Sequence, residues 1–176
     1  MPMTLMPILL ALAAAQPDPA VPTQAQATCP VTPAALPAEL AGWSAPRPLA
    51  AATRPDGLGS ALLPMGQAVD LSLSPTPDVA YALRPERPGG SVSHGGMAQF
   101  RVETAGVYRV AISTAAWLDV LDSGKSLTSV AHGQGPVCSG IRKMVDFRLE
   151  PGSYVLQIAG NGAPTVMVLV TRVPPA

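Results

Sequence analysis

Charged side chains are scarce in this sequence, and neither sign is in excess. Among the 176 residues, 11 are Lys or Arg and 11 are Asp or Glu, so that 12% are charged and the formal net charge is zero. This is about half of the charged fraction that is usual in a globular domain. Without a basic excess, the chain has neither the electrostatic surface that binds nucleic acids nor a polybasic segment for anionic lipids. We therefore expect no nucleic-acid partner.

Aromatic residues, histidines and long apolar runs are also scarce. The chain has two Trp, three Tyr, two Phe and two His, which leaves few ligands for a metal enzyme. No segment reaches the roughly 18 consecutive apolar residues of a membrane-spanning helix, so no membrane span is expected. The nucleophile-elbow, P-loop and dinucleotide-binding motifs are absent as well. The common sequence signatures of catalysis are therefore missing.

Cysteine is limited to Cys29 and Cys138. Residues 6–15 form a short apolar run whose A-x-A ending fits a signal-peptidase site, so we expect residues 1–15 to be a signal peptide. The nine arginines outnumber the two lysines, which is typical of GC-rich bacterial genomes. We expect a periplasmic or extracellular protein, and a disulfide between Cys29 and Cys138 because disulfides persist there. Two unpaired cysteines, or a cysteine nucleophile beside a histidine, are the alternatives.

The uneven distribution of proline divides the chain into parts that differ in their capacity to form β-sheet. Sixteen of the 21 prolines lie at or before Pro88, and none lies between Gly89 and Gln134. Proline cannot donate a hydrogen bond to a sheet, so the proline-free part is better suited to strands. We expect residues 16–28 to be a flexible leader, 29–67 a Pro-rich wrapping segment, and 68–173 the folded β domain.

From residue 68 onward, apolar residues alternate with polar ones, which indicates half-buried strands. We predict nine short strands, about ten residues apart and separated by Gly-containing turns. This spacing is typical of an all-β fold, and we predict an antiparallel β-sandwich with a Pro-rich N-terminal wrap. The predicted strands cover residues 69–73, 79–83, 97–102, 107–113, 117–121, 126–131, 143–149, 153–158 and 165–171.

The same alternation predicts which side chains form the core. Met167 and Leu169 make both faces of the last strand apolar, so we expect the N-terminal segment to cover the outer one. The predicted core residues are Phe100, Val102, Tyr108, Val110, Ile112, Leu118, Val120, Val145, Phe147, Leu149, Tyr154, Leu156, Ile158, Val166, Val168 and Val170.

Two hairpins resemble those of a known bacterial family. Residues 100–110 (F-x-V-x-x-x-G-x-Y-x-V) look like the first hairpin of the pre-peptidase C-terminal domains, and residues 147–156 (F-x-L-x-P-G-x-Y-x-L) look like the last. The resemblance extends over about residues 97–170. It implies a jelly-roll-like sandwich of the extracellular accessory type, which is usually non-catalytic and sometimes binds calcium or polysaccharide.

A second resemblance concerns a label. Short exported bacterial chains that are similar to this one are often labelled homogentisate dioxygenase. That enzyme family is far longer and binds non-haem iron through two histidines and a glutamate. This chain does not match its motif, so no residue role follows from the label.

Four residues are candidates for a metal site. His94 and His132 are the only histidines, and with Asp119 or Asp122 they would supply the two-histidine, one-carboxylate set that holds non-haem iron, or ligands for zinc. Both histidines neighbour glycines, which is typical of exposed loops, and a hairpin turn explains Asp122-Ser123-Gly124. Calcium at Asp119 and Asp122 is what the family resemblance implies.

Trp117 and Asp119 form a possible ligand surface. Both lie on one face of their predicted strand, opposite Leu118 and Val120. An exposed Trp117 would suit a binding site, whereas a Trp117 packed beneath the Pro-rich segment would be structural. We expect the packed arrangement.

Together these observations favour an exported, non-catalytic β-sandwich module with a binding or structural role and no resident cofactor. Its partner would be a protein or a polysaccharide. The alternative is a small metal-dependent enzyme that uses His94, His132 and an acidic residue.

Overall fold

The computed structural model describes Cys29 and residues 35–175. The predicted signal peptide (1–15) and leader (16–28) lie outside the described residues. Short 3₁₀ helices cover Ala38–Ser44, Pro55–Ser60 and Thr76–Asp78. The strands are β1 (Arg47–Ala50), β2 (Val69–Ser72), β3 (Ser74–Pro75), β4 (His94–Val102), β5 (Gly106–Ile112), β6 (Trp117–Asp122), β7 (Lys125–Ser126), β8 (Ala131–Gly133), β9 (Lys143–Leu149), β10 (Gly152–Asn161) and β11 (Thr165–Arg172).

The eleven strands form two sheets that share one core, so the predicted β-sandwich is confirmed. Six strands lie in the order β1-β2-β11-β5-β9-β8, and five in the order β3-β4-β10-β6-β7. The pairs are antiparallel except β1 with β2, which run parallel. Among the described residues there is no helix with the length and apolarity to cross a membrane.

The core lies between the two sheets, where the alternating pattern predicted it. All sixteen predicted core residues are buried in one cluster. The rings of Phe100 and Tyr154 stack there on the paired strands β4 and β10, with their centroids 5.6 Å apart. Alternation of apolar and polar residues thus identifies the inner face of each strand, because neighbouring side chains on a strand point to opposite sides of the sheet.

The outer face of the six-stranded sheet is covered by the start of the described chain. Leu40 and Trp43, from the first 3₁₀ helix, are buried against Leu169 and beside Met167. This confirms that N-terminal residues cover the outer face of the last strand, whose inner face packs in the core. The Pro-rich segment 29–67 also supplies β1, a strand that its sequence did not predict.

A further Pro-containing stretch covers the outer face of the five-stranded sheet, where the buried Gln157 of β10 bonds through its side-chain amide to both backbone groups of Leu83. Ala52 instead pairs with Met97 at the edge of β4 through two backbone hydrogen bonds. Tyr81 donates to the carbonyl of Ile158 at 3.1 Å, and burial raises the pKa of Tyr81 to about 12. These contacts fasten the covering chain to the sheet.

Three of the predicted elements are wrong in detail. Residues 79–83 form no strand, because they run across the outer face of the sheet instead of along its edge. The predicted strand 126–131 is divided into β7 and β8, which belong to different sheets. The predicted strand 97–102 begins three residues earlier, at His94, so that Gly95 and Gly96 lie inside β4, where a side chain at Gly95 would collide with the Tyr81 hydroxyl.

Candidate functional site

A cleft of about 900 Å³ lies at one edge of the sandwich. On one side is β6 of the five-stranded sheet, and on the other are β8 and β9 of the six-stranded sheet. The chain from Leu127 to Ser129 crosses between the sheets at this edge and forms one boundary. The cleft therefore exists because β7 has only two residues before the chain leaves for the opposite sheet.

The floor of the cleft is apolar and its rim is polar. Leu118, Val145 and Phe147, which belong to the core, form the floor, and Leu127 is packed beside them. The rim carries the charged residues Arg84, Glu86, Asp119, Arg142 and Lys143, together with His132. An apolar floor with a few polar groups around it is typical of a ligand site.

Trp117 and Asp119 lie together in the wall formed by β6. The indole N–H of Trp117 donates to one carboxylate oxygen of Asp119 at 2.9 Å, and the hydroxyl of Ser126 donates to the other at 3.3 Å. These two hydrogen bonds hold the carboxylate in place. The structure thus joins the two residues of the possible ligand surface by a direct hydrogen bond.

Two cations lie close to the Trp117 ring. The Arg87 guanidinium is 5.5 Å and the Lys143 ammonium 5.8 Å from the ring centroid, within the range of cation–π attraction. Trp117 is half-buried beside Arg87, so the expectation that it packs beneath the 29–67 segment is wrong. The fully buried tryptophan of that segment is Trp43, which is 4% exposed.

Lys143, the first residue of β9, also contacts the residue that precedes β6. Its ammonium donates to the carbonyl of Ala116 at 3.1 Å. Burial lowers the pKa of Lys143, and the nearby Arg87 lowers it further, whereas Asp119 acts in the opposite direction. The lysine is therefore an amine whose charge is partly destabilised in the free protein.

The candidate metal ligands do not come together. His94 begins β4 in the five-stranded sheet, whereas His132 lies on β8 at the edge of the six-stranded sheet. His132 and Asp119 line the cleft, and Asp122 ends β6 at the β6–β7 turn. Within the described residues, no three His, Cys, Asp or Glu side chains are grouped as metal ligands.

Cys29 and Cys138 form a disulfide with their Cα atoms 5.5 Å apart. Cys138 lies beside Trp43, whose indole N–H donates to the carbonyl of Ser139 at 3.0 Å. The disulfide therefore attaches the start of the described chain near the covered face, away from the cleft.

Several cleft residues had no signal in the sequence. Arg84 and Arg142 lie in loops, where no pattern marks them, and Lys143 is the first residue of a strand whose pattern only marks Val145, Phe147 and Leu149 as core. These residues are far apart along the chain and share a site only because β9 lies opposite β6 across the cleft.

No family model matches the chain. No curated protein matches it in sequence either. Among solved structures, it is similar to the pre-peptidase C-terminal domain of the collagenase of Bacillus anthracis, with 13% identity and a TM-score of 0.38, over 72% of this chain and 96% of that one. This comparison finds the family that the two hairpins resemble, and the likeness concerns the fold alone.

The described residues form a disulfide-linked β-sandwich domain with a cleft at one edge. The function of the cleft depends on the residues that line it.

Proposed function

We propose that this protein is an exported, non-catalytic binding module whose ligand site is the edge cleft. The observation that carries the proposal is the cleft itself, with the core residues Leu118, Val145 and Phe147 as its floor and charged side chains around it. A concave cavity with an apolar floor and a few polar groups around it is the usual form of a small-ligand site.

The Trp117–Asp119 pair supports this proposal. Hydrogen bonds to Trp117 and Ser126 fix the Asp119 carboxylate, and the cations near the ring restrict the indole. Groups that are already held in place lose little conformational entropy when a ligand arrives. The β6 wall is therefore suited to recognition.

Export and the non-catalytic role are supported by separate observations. The Cys29–Cys138 disulfide favours a non-cytoplasmic compartment, because thiols are kept reduced in the cytosol. His94 and His132 lie in different sheets, so a site using both would require a rearrangement of the sandwich. We propose the periplasm or the cell exterior as the location.

A titration followed by amide NMR tests the binding role. The mature protein, purified without a His tag, is titrated with three probes: chitotetraose, a pool of acetylated hexapeptides, and 1-anilinonaphthalene-8-sulfonate. At least one probe is expected to shift the Trp117 indole signal and the backbone amides of His132 and Lys143. A Trp43→Phe variant assigns the two indole signals. The proposal fails if no probe causes shifts below about 1 mM, or if the shifts occur around Trp43.

A matched pair of variants controls for non-specific binding. Thr128→Trp places a large side chain at the rim of the cleft and should weaken the binding of the active probe at least tenfold. Val92→Trp, at a site that is 88% exposed and is not part of the cleft, should leave it unchanged. Equal binding by both variants would contradict the cleft as the site.

Metal analysis of the same untagged protein tests the non-catalytic role. We expect substoichiometric iron and zinc. One equivalent of either metal, lost in a His132→Ala variant, would contradict the proposal and support the metal-dependent enzyme.

A further inference from the structure

Part of the edge of β6 is not covered by another strand. β10 pairs with one edge of β6 from Trp117 to Leu121, whereas β7 pairs with the other edge only at Leu121 and Asp122. The N–H of Leu127 then donates to the carbonyl of Val120 at 2.9 Å, and the chain continues to β8 in the opposite sheet. On the N-terminal side of Val120, from Trp117 to Asp119, the second edge of β6 faces the cleft.

The alternation of backbone groups shows which atoms this edge presents. In a strand, the N–H and C=O of every second residue point to the same edge. Because the carbonyl of Val120 points toward β7, the N–H and C=O of Leu118 point to that side as well. Within the described part of the chain, no group forms a hydrogen bond with them at this edge.

The next carbonyl along the same edge shows how such a group is satisfied when no strand is present. The carbonyl of Ala116 accepts a hydrogen bond from the Lys143 ammonium. Leu118 has no such side chain, although the residue is only 7% exposed. Backbone groups at low exposure are nearly always paired, so the pair of groups at Leu118 is suited to an added partner.

The charges around the cleft indicate what such a partner carries. Arg84, Arg142 and Lys143 are positive, whereas Glu86 and Asp119 are negative. The three positive side chains outnumber the two negative ones, so the rim is positive on balance. An acidic group therefore complements the rim.

We propose that the cleft binds an extended peptide segment bearing an acidic group, which adds to the free edge of β6 at Leu118. An extended peptide offers a donor and an acceptor at the spacing of a strand, so that it pairs with both backbone groups at once. This inference rests on the proposed function and names the ligand class of the same site. A sugar stacked on Trp117 is less favoured, because Arg87 and Lys143 are already at that ring.

The test begins with a selected probe. Wild-type protein is used for affinity selection from a pool of acetylated, amidated hexapeptides in which one position is fixed as glutamate. The best-binding member is synthesised together with a twin that is N-methylated at alternate backbone amides. The twin keeps the side chains but cannot pair along a strand edge, and we expect its affinity to fall at least tenfold.

Hydrogen exchange at one amide is the specific readout. In the free protein the Leu118 amide should exchange faster than its β6 neighbours Asp119 and Leu121, whose N–H groups point toward β10. Saturating hexapeptide should slow exchange at Leu118 at least tenfold. Binding without protection of this amide would overturn strand addition.

Charge variants test the acidic component. Arg142→Glu should weaken hexapeptide binding at least tenfold, whereas Arg148→Glu should change it less than twofold, because the exposed Arg148 lies outside the cleft. Equal effects of the two variants would overturn the role assigned to the rim.

The three probes distinguish a failure of the peptide inference from a failure of the proposed binding function on which it rests. If chitotetraose or the anilinonaphthalene sulfonate binds at Trp117 and no hexapeptide does, the peptide inference fails and the binding module stands. If none of them binds, both fail.

Discussion

The two tryptophans lie in regions of opposite character. Trp43 is buried on the outer face of the six-stranded sheet, among apolar residues such as Leu40 and Leu169, and its N–H is bonded to a backbone carbonyl. Trp117 is half-buried at the edge of the five-stranded sheet, next to a carboxylate and two cations, and it lines the cleft. One tryptophan therefore packs inside a covered surface, whereas the other lines an open cleft.

The charged groups of these regions differ in the same way. At the covered face, Arg109 forms two hydrogen bonds of 2.8 Å with Asp146 and lies 3.7 Å from Glu39. The bond to Asp146 raises the pKa of Arg109, whereas burial lowers the pKa of Lys143 at the open edge. The charged groups of the covered face thus pair with each other, whereas Lys143 at the open edge bonds to a backbone carbonyl.

Removing the disulfide is expected to have the largest effect on the covered face. The Cys29–Cys138 bond closes a loop of 109 residues, and the chain-entropy model assigns such a loop about 4–5 kcal/mol. The Cys29→Ser/Cys138→Ser double variant should lose about this much in urea unfolding. Reductant should destabilise the wild type and leave the double variant unchanged. Two titratable thiols in the native wild type would contradict the disulfide.

Truncating the two tryptophans compares the regions directly. Trp43→Ala should lower the free energy of unfolding by about 3–5 kcal/mol, because it leaves a cavity among buried residues. Trp117→Ala should cost only about 1 kcal/mol, because the indole borders solvent. Urea unfolding of both variants measures the difference. Similar losses would mean that the edge is packed as tightly as the covered face.

Neutralising the buried carboxylate should have an intermediate effect. Asp146→Asn weakens both hydrogen bonds to Arg109, whose remaining partner Glu39 is more distant, and we expect a loss of about 1–3 kcal/mol. The control is Asp56→Asn, since the Asp56–Arg54 pair is exposed and 3.7 Å long; it should change stability by less than about 0.5 kcal/mol. Equal values from thermal unfolding would contradict the assigned role of the buried pair.

The smallest effect concerns Lys143 and depends on pH. Its folded pKa is lowered, so the unfolded chain binds more protons between that value and the ordinary pKa of about 10.4. Folding stability should therefore gain a contribution as pH rises through this window, and Lys143→Met should lack it. Urea midpoints of both proteins from pH 8 to pH 10.5 measure the gain. A difference that shrinks with rising pH would contradict the sign.

The sequence predicted the parts of the fold that follow from local alternation. The strand 143–149 has the predicted bounds, and the turn at Asp122-Ser123-Gly124 is present, with Ser123 and Gly124 at positive φ. The predicted strand 79–83 failed because its apolar residues pack on a face of the sheet instead of pairing at its edge. Alternation indicates that one face of a segment is buried. It does not indicate which part of the protein covers that face.

The candidate site was predicted only where its residues are neighbours in the chain. Trp117 and Asp119 are two residues apart on one strand, so their shared face followed from period two. The shared site of Lys143 and Asp119 did not, because it depends on β9 lying across the cleft from β6. The division of residues 126–131 between two sheets, which creates the cleft, had no local signal.

The sequence by itself therefore determined the β-sandwich class, the inner faces of the strands and the apolar character of both faces of the last strand, because these depend on side chains alternating along one segment. The tertiary structure decided which Pro-rich stretch covers which face, which tryptophan is buried, and where β6 keeps a free edge. Those features depend on contacts between segments that are distant in sequence, and each such contact is set by the packing of the whole domain.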